Sequence, residues 1–161
     1  MLPLRFRHTS EVAAPPSALW KFHVAPGALE SLRPPLGGMR VVDPGDGVAE
    51  GSLVKLEVGA GPVRRRWHAL HLAVRPGESF VDVAVEGPFR LWAHLHRFEA
   101  TGRDRSRLVD EVWYQPPAGV PRWLGRVVFN PLLRLYFAWR HRRTRSAVEG
   151  TVAAFEASAV S

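Results

Sequence analysis

The chain has 161 residues, which fits one domain spanning 1–161, and at that size folding buries roughly 70% of the surface an unfolded chain exposes, enough for a core with a cavity. It contains no cysteine, which excludes disulfide frameworks, thiolate zinc sites and thiol catalysis and leaves histidine and carboxylates as the only strong metal ligands. The formal charge of +7 points toward nucleic acid only in sum: all of the 22 basic residues except Lys21 and Lys55 are arginine, scattered as coding bias alone would scatter them, and no recognition motif accompanies them.

In chain order, Leu4 to Val12 reads as a strand. Ala14-Pro15-Pro16 then opens a helix running to Phe22, with proline where the first turn tolerates it. A second short helix runs from about Pro26 through Leu32 and stops at Pro34-Pro35, because proline lacks the N–H and disfavours helix in the residue before it. Six strands follow, over Met39–Asp43, Ser52–Val58, Val63–Val74, Ser79–Val85, Leu91–Ala100 and Arg107–Gln115. Their turns are Gly37-Gly38, Pro44 to Gly47, Gly59-Ala60-Gly61-Pro62, Pro76-Gly77, Gly87-Pro88 and Thr101 to Arg103. Short strands at regular turn spacing predict an antiparallel sheet.

The pattern then changes period. From Trp123 to Phe155 apolar residues recur every three or four positions, placing Leu124, Val128, Leu132, Leu135 and Trp139 on one stripe. Asn130-Pro131 is a favoured cap and first-turn pair, so the main helix is expected to begin there after a kinked lead-in over Pro121–Phe129. The opposite side, with Trp123, Val127, Phe129, Leu133 and Phe137, is also apolar, which predicts a second covered surface: a homodimer contact, a membrane surface or a partner domain could cover it, with the homodimer preferred. The Arg140-His141-Arg142-Arg143-Thr144-Arg145 run is expected to be a solvated helix end, with weak and salt-sensitive nucleic-acid affinity. The N-terminus carries charge before any apolar core forms, and no later stretch approaches the roughly 18 apolar residues of a membrane span. A cytoplasmic location is the expectation.

The order strand, two helices, six strands, long helix is an α+β arrangement. Together with Ala28-Leu29-Glu30-Ser31-Leu32-Arg33-Pro34-Pro35, the run Gly87-Pro88-Phe89-Arg90-Leu91-Trp92-Ala93-His94-Leu95-His96-Arg97-Phe98 and Tyr136-Phe137-Ala138-Trp139-Arg140-His141-Arg142, it resembles the SRPBCC (START and birch-pollen-allergen-like) superfamily. The likeness covers essentially the whole chain and is closest to the small bacterial ligand-binding group, some members of which sit beside an epimerase-like domain. It implies a helix-grip fold, in which a seven-stranded curved antiparallel sheet and a long C-terminal helix enclose an apolar cavity. The superfamily holds lipid carriers, hormone receptors, polyketide cyclases and quinone-binding proteins, so the resemblance implies a small hydrophobic ligand without naming it.

Strand alternation selects the lining. Trp92, His94, His96 and Phe98 share one face of their strand, expected to be concave. The same logic places Trp67, Ala69 and His71, then Phe80, Asp82 and Ala84, then Leu108, Asp110, Val112 and Tyr114 on that side. Leu132, Leu135, Tyr136 and Trp139 are expected to close the cavity from the helix. A buried cluster of His71, His94 and His96 with Asp82 and Asp110 is costly unless paired. It has four readings: internal pairing that fixes strand register, a polar anchor for the ligand's head group, metal binding through His94 and His96, or acid–base chemistry of the cyclase or dehydratase kind. Internal pairing ranks first, no metal or other cofactor is assigned, and no catalytic residue is chosen. The overall expectation is a carrier or sensor of an apolar molecule. A His/Asp enzyme and a cavity-free interaction module are the alternatives.

Overall fold

In the computed structural model, residues 2–34, 38–59 and 61–159 are described; Pro35, Gly37 and Ala60, assigned above to a helix stop and two turns, lie outside them. Seven strands form one antiparallel sheet in the order β1-β7-β6-β5-β4-β3-β2: β1 Leu4–Val12, β2 Met39–Asp43, β3 Leu53–Val58, β4 Arg65–Arg75, β5 Ser79–Glu86, β6 Leu91–Gly102 and β7 Arg105–Gln115. Helices α1 (Pro16–Val24) and α2 (Ala28–Ser31) follow β1, and a helical run over α3 (Arg122–Leu124), a π turn (Gly125–Phe129) and α4 (Asn130–Ala159) follows β7. This is the expected helix-grip arrangement, and β1 has the predicted bounds.

Bulges bend the sheet around the long helix. They fall between Val41 and Asp43, at His68/Ala69, between Leu72 and Arg75, and between Ala100 and Gly102. Each inserts residues on one strand and increases the local twist, so the inner face becomes concave. Two apolar clusters occupy that face. Val12, Leu19, Phe80, Phe98, Leu108 and Val148 build one; Leu4, Phe6, Trp92, Val112, Tyr114 and Phe137 build the other. The titratable cluster lies between them, on the middle of β5, β6 and β7.

The face of α4 differs from the expectation. Leu132 and Leu135 are 55% and 70% exposed, whereas Phe137 and Thr144 are fully buried and Arg140, His141 and Val148 nearly so. The π turn is the physical cause. It takes one residue more per turn than an α-helix, rotating everything after it by about 100°, so a stripe counted from Leu124 and Val128 continues onto the solvent side. The solvated-end expectation is corrected by the same finding: Arg142, Arg143 and Arg145 are exposed, but Arg140 and His141 point inward.

Asn130 is not a cap, because the preceding turn already has helical dihedrals. Its side chain instead takes part in docking the helical run: the Tyr114 hydroxyl lies 2.6 Å from Asn130 Oδ1 and 3.0 Å from the Gly125 carbonyl. Gly125 fits there because a Cβ would come within 2.7 Å of both Leu4 Cδ1 and Pro116 Cγ. Gly125→Ala should therefore cost roughly 1–3 kcal/mol by overpacking, read as a lower urea midpoint. An unchanged midpoint would show that this corner yields freely.

Candidate functional site

A cavity of about 600 Å³ lies between the sheet, α1–α2 and the inner face of α4. Its sheet wall follows from strand register. Val54 and Leu56 of β3 stand opposite Ala69 and Trp67 of β4, and His71 stands opposite Asp82 of β5, which in turn faces His94 of β6. Period-two alternation turns all of these inward. Trp67 and Trp92 meet edge to face at 5.1 Å between centroids, which stiffens one end of the wall. Leu133, Tyr136, Phe137 and Arg140 descend from α4, and Leu29 closes the α1–α2 side.

Of the candidates named from sequence, Trp67, His71, Phe80, Asp82, Trp92, His94 and Tyr136 line this cavity. His96, Phe98, Asp110, Val112 and Tyr114 are buried but do not line it; they lie in the two apolar clusters and the polar network that support it. Leu132 and Leu135 are on the solvent side of α4 and Trp139 is half-buried beside Tyr136; none of the three lines the cavity.

The titratable cluster is an interlocked ion-pair network. Asp82 Oδ2 stands 3.2 Å from His94 Nδ1 and 3.0 Å from His96 Nε2. On the far side, Asp110 Oδ1 stands 3.1 Å from His94 Nε2 and 2.9 Å from His96 Nδ1. Two neighbouring imidazoles thus bridge two carboxylates. The approaches to Asp110 Oδ1 are close but misaligned for hydrogen bonding, so they act through charge. His141 donates from Nε2 to Asp110 Oδ2 at 2.8 Å, and its Nδ1 meets the Ser10 hydroxyl at 2.7 Å. This ties α4 to β7 and β1 through one carboxylate.

Burial works against the charge on His94, but Asp82 and Asp110 outweigh it and push its pKa up to about 9. Burial also opposes ionisation of the two carboxylates, yet the imidazoles hold both well below the usual carboxylate range. His23 is the opposite case. Burial, with His96 and Arg140 nearby, lowers it to about 3, so it is neutral, donating from Nδ1 to the Leu19 carbonyl at 2.8 Å. Asp82, His94 and His96 bring potential metal-ligating atoms within 4.8 Å of one another. The same atoms already take part in the ion pairs of the network, Asp82 Oδ2 with both His94 and His96.

Sequence reasoning missed Arg140, His23 and the β2–β3 wall. Extending the alternation to Val54 and Leu56 would have found the last of these. Nothing in the basic run distinguishes the one arginine that turns inward.

A model of the family described as polyketide cyclase / dehydrase and lipid transport matches residues 12–135. No curated protein matches the sequence. Among solved structures, the Zhui aromatase/cyclase from Streptomyces sp. R1128 superposes with a TM-score of 0.72 at 14% identity, covering 93% of this chain and 96% of that one. Norcoclaurine synthase from Thalictrum flavum, in complex with dopamine and hydroxybenzaldehyde, gives 0.66 at 17%, covering 91% and 87%. A nucleoside-diphosphate sugar epimerase from Corynebacterium glutamicum gives 0.63 at 21%, covering 89% of this chain but 28% of that one. At these identities the likeness establishes the fold. No helix among the described residues is long and apolar enough to cross a membrane.

Proposed function

This chain belongs to the polyketide cyclase / dehydrase and lipid transport family, and from that premise we propose that it binds one small, mainly apolar molecule with an oxygen-bearing polar end, for carriage or sensing. The observation that carries the reading is the composition of the cavity. Its volume of about 600 Å³ is that of a drug-sized site, walled by Leu29, Val54, Leu56, Trp67, Trp92 and Phe137, with Asp82, His94, Tyr136 and Arg140 among the few polar groups that line it.

Arg140 is the intended anchor. Burial opposes its charge, but Tyr136 and Asp110 favour it, and a guanidinium stays protonated with five donors to place. Among the described residues no carboxylate pairs with it, whereas Asp82 and Asp110 are held by imidazoles. Tyr136 accepts one hydrogen bond from it, and a carbonyl, phenol or carboxylate oxygen of the ligand would supply a further acceptor. Arg140→Met should weaken binding of a co-purified ligand about tenfold or more, the worth of a charged hydrogen bond. Trp92→Ala should also weaken binding, by enlarging the apolar end. The test is extraction and native mass spectrometry of the purified protein, followed by titration of the recovered compound. Unchanged affinity in both folded variants would defeat the assignment.

A second reading is acid–base conversion of the bound molecule, favoured by the Asp82–His94 pair on the cavity wall. Catalytic proton transfer is most efficient near the working pH, and a His94 titrating at about 9 keeps its proton, so it could act as an acid but would be a poor base. Binding therefore ranks first. Loss of water from the ligand on incubation, absent in His94→Phe, would reverse the order.

A further inference from the structure

The helical run that walls the cavity presents a second apolar surface to solvent. Trp123 and Val127 are each 65% exposed, Leu132 55% and Leu135 70%. Arg126 and Arg134 are exposed among them, and Arg142, Arg143 and Arg145 continue the charge along α4. From Val112 to Val148 there is no Asp or Glu. Among the described residues, none of these five arginines forms an ion pair.

We infer that this face docks on an anionic lipid bilayer. Apolar side chains that include a tryptophan, interspersed with unpaired arginines, form the pattern of a helix lying in the headgroup region. The apolar groups enter the acyl boundary while each cation near the surface gains on the order of 1 kcal/mol from anionic headgroups. Charge complementarity selects this occupant over a second copy of the chain, which had been the expectation from sequence. A twofold contact sets the same patch against itself, so Arg126 and Arg134 would meet like charges with no carboxylate in the stretch to pair them. Nucleic acid would satisfy the arginines but leave Trp123, Val127, Leu132 and Leu135 unburied. The inner face of the same helix carries Leu133, Tyr136 and Phe137 of the cavity wall, so docking would bring the cavity within one helix diameter, ~10 Å, of the lipid.

The inference rests on the outer patch and stands whatever the cavity holds. Co-sedimentation with vesicles of phosphatidylcholine, and of phosphatidylcholine mixed with phosphatidylglycerol, tests it. The parent should sediment with the mixed vesicles and not with the neutral ones, and binding should fall as salt rises. Leu132→Ser with Leu135→Ser, and separately Arg126→Glu with Arg134→Glu, should each reduce binding at least tenfold. Both pairs are exposed, so unchanged thermal melting confirms folding. Failure of the parent to bind mixed vesicles overturns the inference, as does undiminished binding by folded variants. A solution dimer that the leucine pair of substitutions dissociates, seen by analytical ultracentrifugation, also overturns it.

Discussion

Replacing Asp110 by asparagine is expected to cost about 3–5 kcal/mol of folding stability, the loss typical when one partner of a buried ion pair is removed and the other is left charged. Its side chain is 1% exposed and serves three imidazoles, those of His94, His96 and His141, which arrive from two different elements. The substitution keeps the shape of the side chain, so the loss reports charge and hydrogen-bond chemistry and not a cavity. Asp82→Asn is the informative contrast. Asp82 is 14% exposed at the cavity wall, where water or a ligand can compensate, and its loss should cost less in the apo protein. Urea denaturation of both variants, with and without the recovered ligand, checks this. If Asp110→Asn costs under about 1 kcal/mol, or costs no more than Asp82→Asn, the network does not hold the sheet to α4.

The same residues show what was legible in the sequence. Alternation along β6 was enough to set Trp92, His94, His96 and Phe98 on one buried face, because a strand has a fixed period of two. Register then follows from short turns, so the Asp82–His94 neighbourhood was within reach of sequence reasoning. The long helix was less legible for two reasons. It carries two apolar stripes, and hydrophobicity cannot say which one faces inward. Its lead-in also contains a π turn, whose extra residue shifts the phase that a regular 3.6-residue count assumes. Arg140 and His141 show the limit most clearly. They look like part of a solvated basic run, and only the packing of α4 across β1 and β7 brings them to Asp82, His94 and Asp110.

Stability should peak near pH 6.5 and fall on both sides, with different residues responsible for each limb. The folded pKa of His94, about 9, lies above its ordinary value of 6.5. The contribution of His94 is therefore complete below 6.5 and is lost as pH rises through 9, on the order of 3 kcal/mol at 1.36 kcal/mol per unit. The folded pKa of His23, about 3, lies below the same ordinary value. The unfolded chain then binds a proton that the folded chain refuses, so stability falls as pH drops from 6.5 toward 3; His71, also lowered by burial, adds to this limb. Asp82 and Asp110, held low by the imidazoles, contribute in full above about 4 and weaken the protein only at still lower pH. The measurement is folding free energy from urea titrations across pH 4 to 10. His23→Phe keeps the ring among Phe22, Phe80 and Phe98, removes the group that refuses the proton, and should flatten the acid limb while leaving the alkaline one intact. An alkaline limb that is flat in the parent would mean that His94 does not carry its charge between the two carboxylates. The ion-pair account of the cluster would then fail, even if the acid limb behaved as described.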